Sequence, residues 1–569
     1  MGELAQMFDF FVKNIVSSRR RQVALFVSGG IVALCIGVIV TTVVYQINHP
    51  NQNFKPFKTH ADLPFQPMET YADSLNGTFP SDSSNFHDST CTSLSSDWVK
   101  QENAKPGVSM TLQDWAHLDL PNALGSALWL NNTAVSCGDK LQIHASLYDT
   151  KQSYAPAGPR TIVAMRIGYY NGSGAREVWT SGPLTLKAQK VPLPRNSTRM
   201  VETAWPTTVS VTVGDDWTPG FYLIATMSPT NTIENVAPLV VRAPLGSSPL
   251  LLVHSFMTWN MYNTFGGRSG YEGPGGTTNE VRAERSRIIS FDRPIVGSGA
   301  YSIHRDAIPL VQFLEQQGIA ADNESDLDVS QWPSITQSYN GVVLGGHPEY
   351  MTRRLFDTLI ADRNNGINLA IMGGNSAYWQ TRMTSSPTGP MRRAIMYRSA
   401  VDDPVTDVNQ VTVEFGDKRV NTPANLITGE LTDGVHVYGD VRAVKVPSWL
   451  KLPSYASIMG ISPDTEAEAV PTNVAEAPKV NVLFSGVMRF RDPQPVRPGG
   501  PKIPLAQTSW WTTPSGAAVF DAGMTTWSCN LMESCAYATV DFASRQTIDS
   551  VTQQVLTLWS KPKIGATLK

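Results

Sequence analysis

The sequence has little net charge and no concentrated basic surface. Its 569 residues carry a formal net charge of −3, and only 16% of them are charged. A protein that binds nucleic acid through its phosphates needs lysine and arginine clustered on one face. Since no stripe of basic residues interleaved with aromatic residues is present, we expect no nucleic-acid partner.

Motifs of several common enzyme classes are also missing. The sequence contains no GxSxG, the motif that places the nucleophile of many serine hydrolases. The glycine-rich stretch YEGPGGTTNE at 271–280 lacks the lysine of a phosphate-binding loop and does not lead from a strand into a helix. A serine hydrolase and a P-loop nucleotide-binding protein are therefore disfavoured.

Cysteine is scarce, with five residues in the chain. Cys35 lies in a long apolar run, which leaves an even number of cysteines elsewhere, and an even number is typical of an oxidising compartment. The spacing lacks the CxxC or nearby histidine of a zinc site. We therefore predict two disulfides, Cys91–Cys137 and Cys529–Cys535, and regard a zinc site or a nucleophilic cysteine as disfavoured alternatives.

One apolar run governs the predicted location of the chain. The run Val23–Val44 contains no charged residue. As a helix it is long enough to cross a hydrocarbon core of about 30 Å. Arg19–Arg21 precede the run, and no lysine or arginine follows it until Lys55. By the positive-inside rule, the sequence predicts a single transmembrane helix at 23–46. The N-terminus at 1–22 is then cytoplasmic, and the rest of this cell-membrane protein is extracytoplasmic.

The pattern of strands and helices predicts two further domains after a linker at 47–105. Stretches such as KLQIHASLY, RTIVAMRIGYY and GFYLIATM are β-rich and separated by turn residues, which predicts an all-β, Ig-like sandwich at 106–245. From PLLLVHSF onward, apolar strands alternate with amphipathic helices. This alternation predicts an α/β domain at 246–569 with a mostly parallel sheet. Acid-rich SPDTEAEAVPTNVAEAPK at 462–479 is interpreted as a long loop.

Polar side chains follow three apolar strands of the predicted α/β domain. LLLVHSF is followed by Tyr262, GVVLGG by His347 and Glu349, and NLAIMGG by Asn375. Because the carboxyl ends of parallel strands meet at one edge of a sheet, we expect these side chains to share a pocket. A phenol, a carboxylate and an imidazole can build either a centre for a hard metal ion or a metal-free acid–base site.

Several ordered motifs resemble the large (beta) subunit of N,N-dimethylformamidase and its relatives. They are RIGYYNGSGAREVW, TWNMYNTFGGRSGY, SFDRPI, VVLGGHPEYM, IMGGNSAYW and PSGAAVFDAGMTTWS, and the resemblance covers about residues 110–560. It implies a β-sandwich beside a glutamine-amidotransferase-like α/β domain. It also implies a mononuclear Fe3+ centre that hydrolyses a small-molecule amide, and a small accessory subunit or a homo-oligomer.

The same resemblance implies roles for individual residues. Tyr262 and Glu349 correspond to metal ligands, and His347, Glu349 and Asn375 to catalytic residues. Relatives commonly carry tyrosine where this chain has Ile295 in SFDRPI, and Tyr301 is the candidate for the missing second phenolate. No further cofactor is implied.

Two functions are therefore expected from the sequence. The first is a membrane-anchored, extracytoplasmic hydrolase of an amide or another C–N bond. The alternative, motivated by Ile295, is a non-catalytic binding or assembly protein of the cell envelope that keeps the scaffold without the metal.

Overall fold

The computed structural model describes residues 86–109, 125–147, 158–195, 197–274, 284–453, 456–472, 478–491, 503–532, 535 and 538–568. The predicted cytoplasmic segment 1–22 and the predicted span 23–46 lie outside these residues, as does most of the predicted linker 47–105. Among the described residues, no helix is both long enough and apolar enough to cross a membrane. The cellular location stays a prediction.

The N-terminal part of the described chain is a β-sandwich. Its elements are α1 (Trp98–Asn103), β1 (Val108–Ser109), β2 (Ser126–Leu130), β3 (Ala134–Val135), β4 (Lys140–Leu147), β5 (Arg160–Ile167), β6 (Gly174–Leu184), β7 (Val209–Thr212), β8 (Gly220–Met227) and β9 (Ile233–Val241). A six-stranded sheet in the order β1-β6-β5-β8-β9-β3 faces a three-stranded sheet, β2-β4-β7. Leucine, isoleucine and valine side chains from both sheets form the core between them. The predicted sandwich is confirmed.

The remainder of the chain supplies thirteen strands and six helices among the described residues. The strands are β10 (Leu250–His254), β11 (Ile288–Ser290), β12 (Ala321–Ser325), β13 (Gly341–Gly346), β14 (Tyr350–Thr352), β15 (Asn368–Gly373), β16 (Trp379–Ser386), β17 (Gly389–Ile395), β18 (Leu431–Ala443), β19 (Ser457–Ala469), β20 (Asn481–Phe490), β21 (Leu505–Thr512) and β22 (Ala518–Asp521). The helices are α2 (Phe256–Tyr262), α3 (Ser298–Asp306), α4 (Ile308–Gln316), α5 (Asp326–Gln331), α6 (Arg353–Asn364) and α7 (Phe542–Trp559).

Nine of these strands form one sheet in the order β12-β10-β13-β15-β22-β21-β20-β18-β19. The neighbours from β12 to β22 pair in parallel, as the alternation of strand and helix predicted. The neighbours from β22 to β19 all pair antiparallel. A separate four-stranded sheet has the order β11-β17-β16-β14. In the sequence, its strands fall between strands of the nine-stranded sheet.

The fold class predicted from the sequence is therefore wrong as stated. It combined a transmembrane helix with a sandwich and a mostly parallel α/β sheet, whereas the structure is multidomain, with many β-sheets and few helices. Antiparallel pairings are as numerous as parallel ones in the nine-stranded sheet, and the described residues between β18 and β22 contain no crossover helix of the kind that parallel neighbours need. The segment interpreted as a loop at 462–479 contributes more than half of β19.

The sandwich and the α/β part share a buried boundary. Apolar side chains on the outer face of the six-stranded sheet belong to the same core cluster as β10 and α4. Across this boundary Arg166 of β5 donates to Glu315 of α4 at 2.7 Å, and both side chains are buried. The sandwich therefore supports the layer that carries the strand ends described below.

Both predicted disulfides are present. Cys91 is bonded to Cys137, which ties the segment before α1 to the sandwich, and Cys529 is bonded to Cys535. All four side chains are buried. The pairing inferred from the even number of cysteines is confirmed.

The backbones of β13 and β15 approach closely at their carboxyl ends, so a side chain added there should destabilise the fold. A Cβ atom at Gly373, on β15, would fall on the carbonyl oxygen of Gly346 at the end of β13. We expect Gly373→Ala to lower the free energy of unfolding by about 1–3 kcal/mol, because adjacent strand ends would have to separate. Denaturant unfolding of the purified chain measures this loss.

The matched control is Gly416→Ala. Gly416 is exposed, and a Cβ atom there would lie 4.0 Å from its nearest neighbour, Pro423. We expect this variant to unfold at the same denaturant concentration as the wild type. Equal unfolding midpoints for the two alanine variants would contradict the packing described at Gly373.

Candidate functional site

The carboxyl ends of three adjacent strands define the candidate site. β10, β13 and β15 are parallel neighbours in register, so their ends lie at one edge of the sheet. Tyr262 lies at the end of α2, which follows β10, while His347 and Glu349 follow β13 and Asn375 follows β15. The structure brings all four of these predicted site residues together through the contacts given below.

Glu349 is the centre of these contacts. Its side chain is 3% exposed, and its Oε2 accepts a hydrogen bond from the hydroxyl of Tyr262 at 2.8 Å. Its Oε1 accepts a hydrogen bond from the hydroxyl of Tyr271. The two tyrosine rings stack with centroids 4.4 Å apart. One buried carboxylate thus holds two phenol oxygens side by side.

Tyr271 was not identified by the sequence reasoning. It ends the stretch TWNMYNTFGGRSGY, and the intervening loop folds back so that the amide of Gly270 donates to the carbonyl of Met261 at 2.8 Å. Buried Arg293, in the motif SFDRPI, holds the same loop by donating to the carbonyls of Asn263, Phe265 and Arg268. Tyr271 is part of a motif quoted above, but no sequence pattern predicted that its loop would fold back onto Met261.

Tyr301 lies beside Arg305, which contacts His347, and Ile295 lies at the boundary with the sandwich. Tyr301 is on α3, where the guanidinium carbon of Arg305 lies 6.0 Å from the centre of its ring. Ile295 is buried and lines a cavity at the boundary with the sandwich, beside Trp129 and Arg392. The second phenol at Glu349 belongs to Tyr271, so Ile295 does not leave the site short of one. The assignment of Tyr301 as a ligand stays a prediction, and Tyr271 is the better placed tyrosine.

His347 is held between a cation and two carboxylates. Its Nδ1 lies 3.3 Å from a guanidinium nitrogen of Arg305, which donates to it when the ring is neutral. Its Nε2 lies 3.3 Å from Oε2 of Glu466 and 3.5 Å from Oε2 of Glu349. Because Arg305 occupies the lone pair on Nδ1, the neutral ring carries its proton on Nε2, which faces the two acids.

Burial and nearby charges both shift the pKa values of these groups. Burial alone would lower the pKa of His347, but the nearby charges of Glu466 and Glu349 raise it above its ordinary value. Burial raises the pKa of Glu349, and the charge of Glu466 adds to that rise. Burial would also raise the pKa of Glu466, yet His347 lowers it below the ordinary value. These opposite shifts favour an ion pair between Glu466 and the protonated ring of His347.

Asn375 is fixed by its backbone and by two partners. It has a positive φ of 50°, a left-handed conformation that asparagine tolerates well. Its Nδ2 donates to Oε2 of Glu466, and its Oδ1 accepts from the hydroxyl of Thr432 at 2.6 Å. These partners fix the orientation of the amide, so its Nδ2 faces Nε2 of His347 at 3.2 Å.

Aromatic side chains and one arginine line the mouth of the site. The hydroxyl of Tyr350 donates to that of Tyr271 at 2.6 Å, and Arg398 contacts the hydroxyl of Tyr350. The guanidinium carbon of Arg398 lies 3.9 Å from the ring centre of Tyr271 and 5.0 Å from that of Trp379. Tyr262, Tyr271, Trp379 and Arg398 are partly exposed, so the site opens to solvent here.

The donor set fits a hard metal ion. Tyr262, Tyr271 and Glu349 present oxygen atoms, the donors that hard cations prefer. Burial raises the pKa of both tyrosines well above the ordinary value, and Glu349 adds to the rise. A highly charged cation would reverse this by stabilising the phenolates. Without an ion, the same residues form a hydrogen-bonded cluster in which Glu349 accepts from both phenols.

Fold and site together define a protein class, a β-sandwich joined to an α/β layer that carries an acidic, tyrosine-lined pocket at its strand ends. The chain belongs to the N,N-dimethylformamidase beta subunit-like family. The family model described as "N,N-dimethylformamidase beta subunit-like, C-terminal" matches residues 161–538. This confirms the resemblance noted in the sequence. The comparison with curated proteins found no match.

A double-mutant cycle distinguishes Tyr271 from Tyr301. We expect Tyr271→Phe and Glu349→Gln to be coupled by about 1–2 kcal/mol in the free energy of unfolding, because they remove the two ends of one buried hydrogen bond. The cycle of Tyr301→Phe with Glu349→Gln should show coupling below about 0.5 kcal/mol. Chemical denaturation of the six proteins gives both values.

Tyr438→Phe is the control for loss of a tyrosine hydroxyl. Tyr438 lies on β18 and is 37% exposed. Its variant should keep the stability of the wild type. Stronger coupling of Glu349 to Tyr301 than to Tyr271 would contradict the arrangement described at the site.

Proposed function

We propose that this chain hydrolyses the C–N bond of a small amide, with Tyr262, Tyr271 and Glu349 holding a ferric ion. Membership of the N,N-dimethylformamidase beta subunit-like family supports an amidohydrolase type of function. The single observation that carries the proposal is the convergence of two phenol oxygens on one buried carboxylate. These hydrogen bonds to Glu349 bring together the three residues that would offer oxygen atoms to the ion.

The metal, when bound, supplies a Lewis acid that polarises the amide carbonyl and lowers the pKa of water. The residues of the chain handle the protons and the orientation of the substrate. Nε2 of His347 holds a proton within reach of Glu349 and Glu466, and this is the proton that a departing amine would receive. Nδ2 of Asn375 is an N–H donor fixed beside it.

The walls of the mouth favour a small and partly apolar amide. The guanidinium of Arg398 lies against one face of Tyr271 and one face of Trp379, so rings and a cation line the entrance. Such a surface offers apolar contact to alkyl groups on an amide nitrogen and donors to its carbonyl oxygen. Short formamides and acetamides are therefore the substrates to test first.

Amine release from a panel of small amides tests the proposed reaction. The purified chain should hydrolyse at least one panel member, and Glu349→Gln and Tyr271→Phe should each reduce kcat/KM by about 100-fold or more, as loss of a group acting at the reacting centre does. Tyr438→Phe should retain full activity. If the wild type releases no more amine than Glu349→Gln from any panel amide, the proposal is wrong.

The pH profile of the same reaction tests the role of His347. Glu466 raises the pKa of His347, so removing its charge in Glu466→Gln must lower that pKa. The alkaline limb of kcat, where His347 loses its proton, should move to lower pH by about one unit.

The matched control for the pH profile is Glu177→Gln, which removes an exposed acid from the sandwich strand β6. This variant should leave both limbs where they are. An alkaline limb that stays in place in Glu466→Gln, or moves to higher pH, would show that His347 does not supply the proton.

A further inference from the structure

A second group of acids lies directly behind the candidate site. Glu430 precedes β18, Glu468 lies on β19, and Asp521 is the last residue of β22. One carboxylate oxygen from each lies within 4.8 Å of the corresponding oxygen of the other two. All three side chains are completely buried. The group joins strands from both the parallel and the antiparallel halves of the nine-stranded sheet.

Four oxygen atoms of this group have no ordinary hydrogen-bonding partner among the described residues. They are both carboxylate oxygens of Glu430, Oε2 of Glu468 and Oδ2 of Asp521. The other two oxygens are occupied, since Oε1 of Glu468 accepts from the amide of Ser376 and Oδ1 of Asp521 accepts from the amide of Gly523. Buried polar atoms are nearly always paired in native proteins, so four orphaned oxygens at one point indicate a missing ligand.

Contacts of the three acids with one another and with nearby hydroxyls shift their pKa values but fall outside ordinary hydrogen-bond geometry, and Asp521 is close to both Glu468 and Thr428. Ser509, which pairs with Asp521 across β21 and β22, is close enough to Glu430 to lower its pKa, but its own Oγ makes no hydrogen bond of ordinary geometry. Burial raises the pKa of all three acids well above the ordinary value, and their mutual repulsion adds to it. No lysine or arginine of the described residues forms an ion pair with any of them.

We propose that Glu430, Glu468 and Asp521 bind a hard divalent cation, Ca2+ in the first instance, as a structural ion behind the active site. Oxygen ligands of Ca2+ lie at about 2.3–2.6 Å, so two ligands on opposite sides of one ion are separated by about 4.8 Å. The observed separations fit within that limit. Carboxylates that can bind through one or both oxygens also suit the flexible coordination of Ca2+.

The ion would connect two parts of the active site. Glu468 and Glu466 are two residues apart on β19, so they lie on the same face of the strand. Glu468 anchors the amide of Ser376, which follows Asn375, and Glu466 contacts both Asn375 and His347. Fixing Glu468 therefore fixes the distance between the catalytic loop after β15 and the acid that pairs with His347.

Elemental analysis of the full-length chain is the first test. The chain, produced with Ca2+, Mn2+ and Mg2+ in the medium and dialysed extensively, should retain about one equivalent of one of these ions in addition to any iron. Glu430→Gln and Asp521→Asn should each lose it. The control is Asp362→Asn, which changes a buried acid on α6. Asp362 also has an unpaired oxygen, but its other oxygen accepts from Thr336 and Gln337. This variant should keep the ion.

A second measurement needs no variant of the acids. The wild-type chain, stripped by a chelator in mild denaturant and then returned to buffer with Ca2+, Mn2+ or Mg2+, should melt roughly 5 °C higher with the bound ion than without it. The element that restores Tm identifies the ion. Tyr271→Phe should show the same rise, because its change lies in the other site.

Three results would overturn the proposal. The first is a stripped chain whose Tm is insensitive to all three ions and which retains none of them. The second is an ion that persists in Glu430→Gln and Asp521→Asn. The third is an ion lost in Glu349→Gln instead, which would place it in the pocket in front. The first result, accompanied by a stabilising effect of Glu430→Gln, would show that the three carboxyls share protons instead.

Discussion

The organisation of this protein depends on the burial of the Glu349 carboxylate. A carboxylate that is only 3% exposed must be neutralised or surrounded by donors, and here the donors are two phenols and an imidazole. Each comes from a different segment, namely α2, the loop after it and the turn after β13. Glu349 therefore connects the segments that follow the strand ends. Removing its carboxylate would leave the two phenols and the imidazole without their common partner.

The rest of the fold keeps that junction in place. Gly346 and Gly373 let the ends of β13 and β15 approach closely, which brings His347 towards Asn375. Arg293 is buried and has no acidic partner among the described residues, so it holds the loop of Tyr271 through backbone carbonyls, and burial lowers its pKa to about 9. From the other side, Asn235 of the sandwich donates to the carbonyl of Ile295 at 2.8 Å. The position of the site therefore depends on both domains.

Parts of the fold and site with a strong local pattern could be predicted from the sequence. The apolar strands that became β10, β13 and β15 carry their polar ends in order, so Tyr262, His347, Glu349 and Asn375 could be grouped before the fold was known. β19 could not, because Glu466 and Glu468 face a polar interior and the strand lacks the alternation of apolar residues that marks a half-buried strand. Tyr271 was missed because only tertiary contacts, chiefly those of Arg293, close its loop. The antiparallel half of the sheet was missed for the same reason as β19.

The most direct test of the account is the visible absorption of the iron-loaded chain together with its tyrosine variants. Phenolate bound to ferric iron gives a charge-transfer band, so the wild type should be coloured. Tyr262→Phe and Tyr271→Phe should each weaken or abolish the band, while Tyr301→Phe should leave it intact. A band that survives in Tyr271→Phe and disappears in Tyr301→Phe, or an iron-free chain that takes up no iron, would contradict the central role assigned to Glu349 and its two phenols.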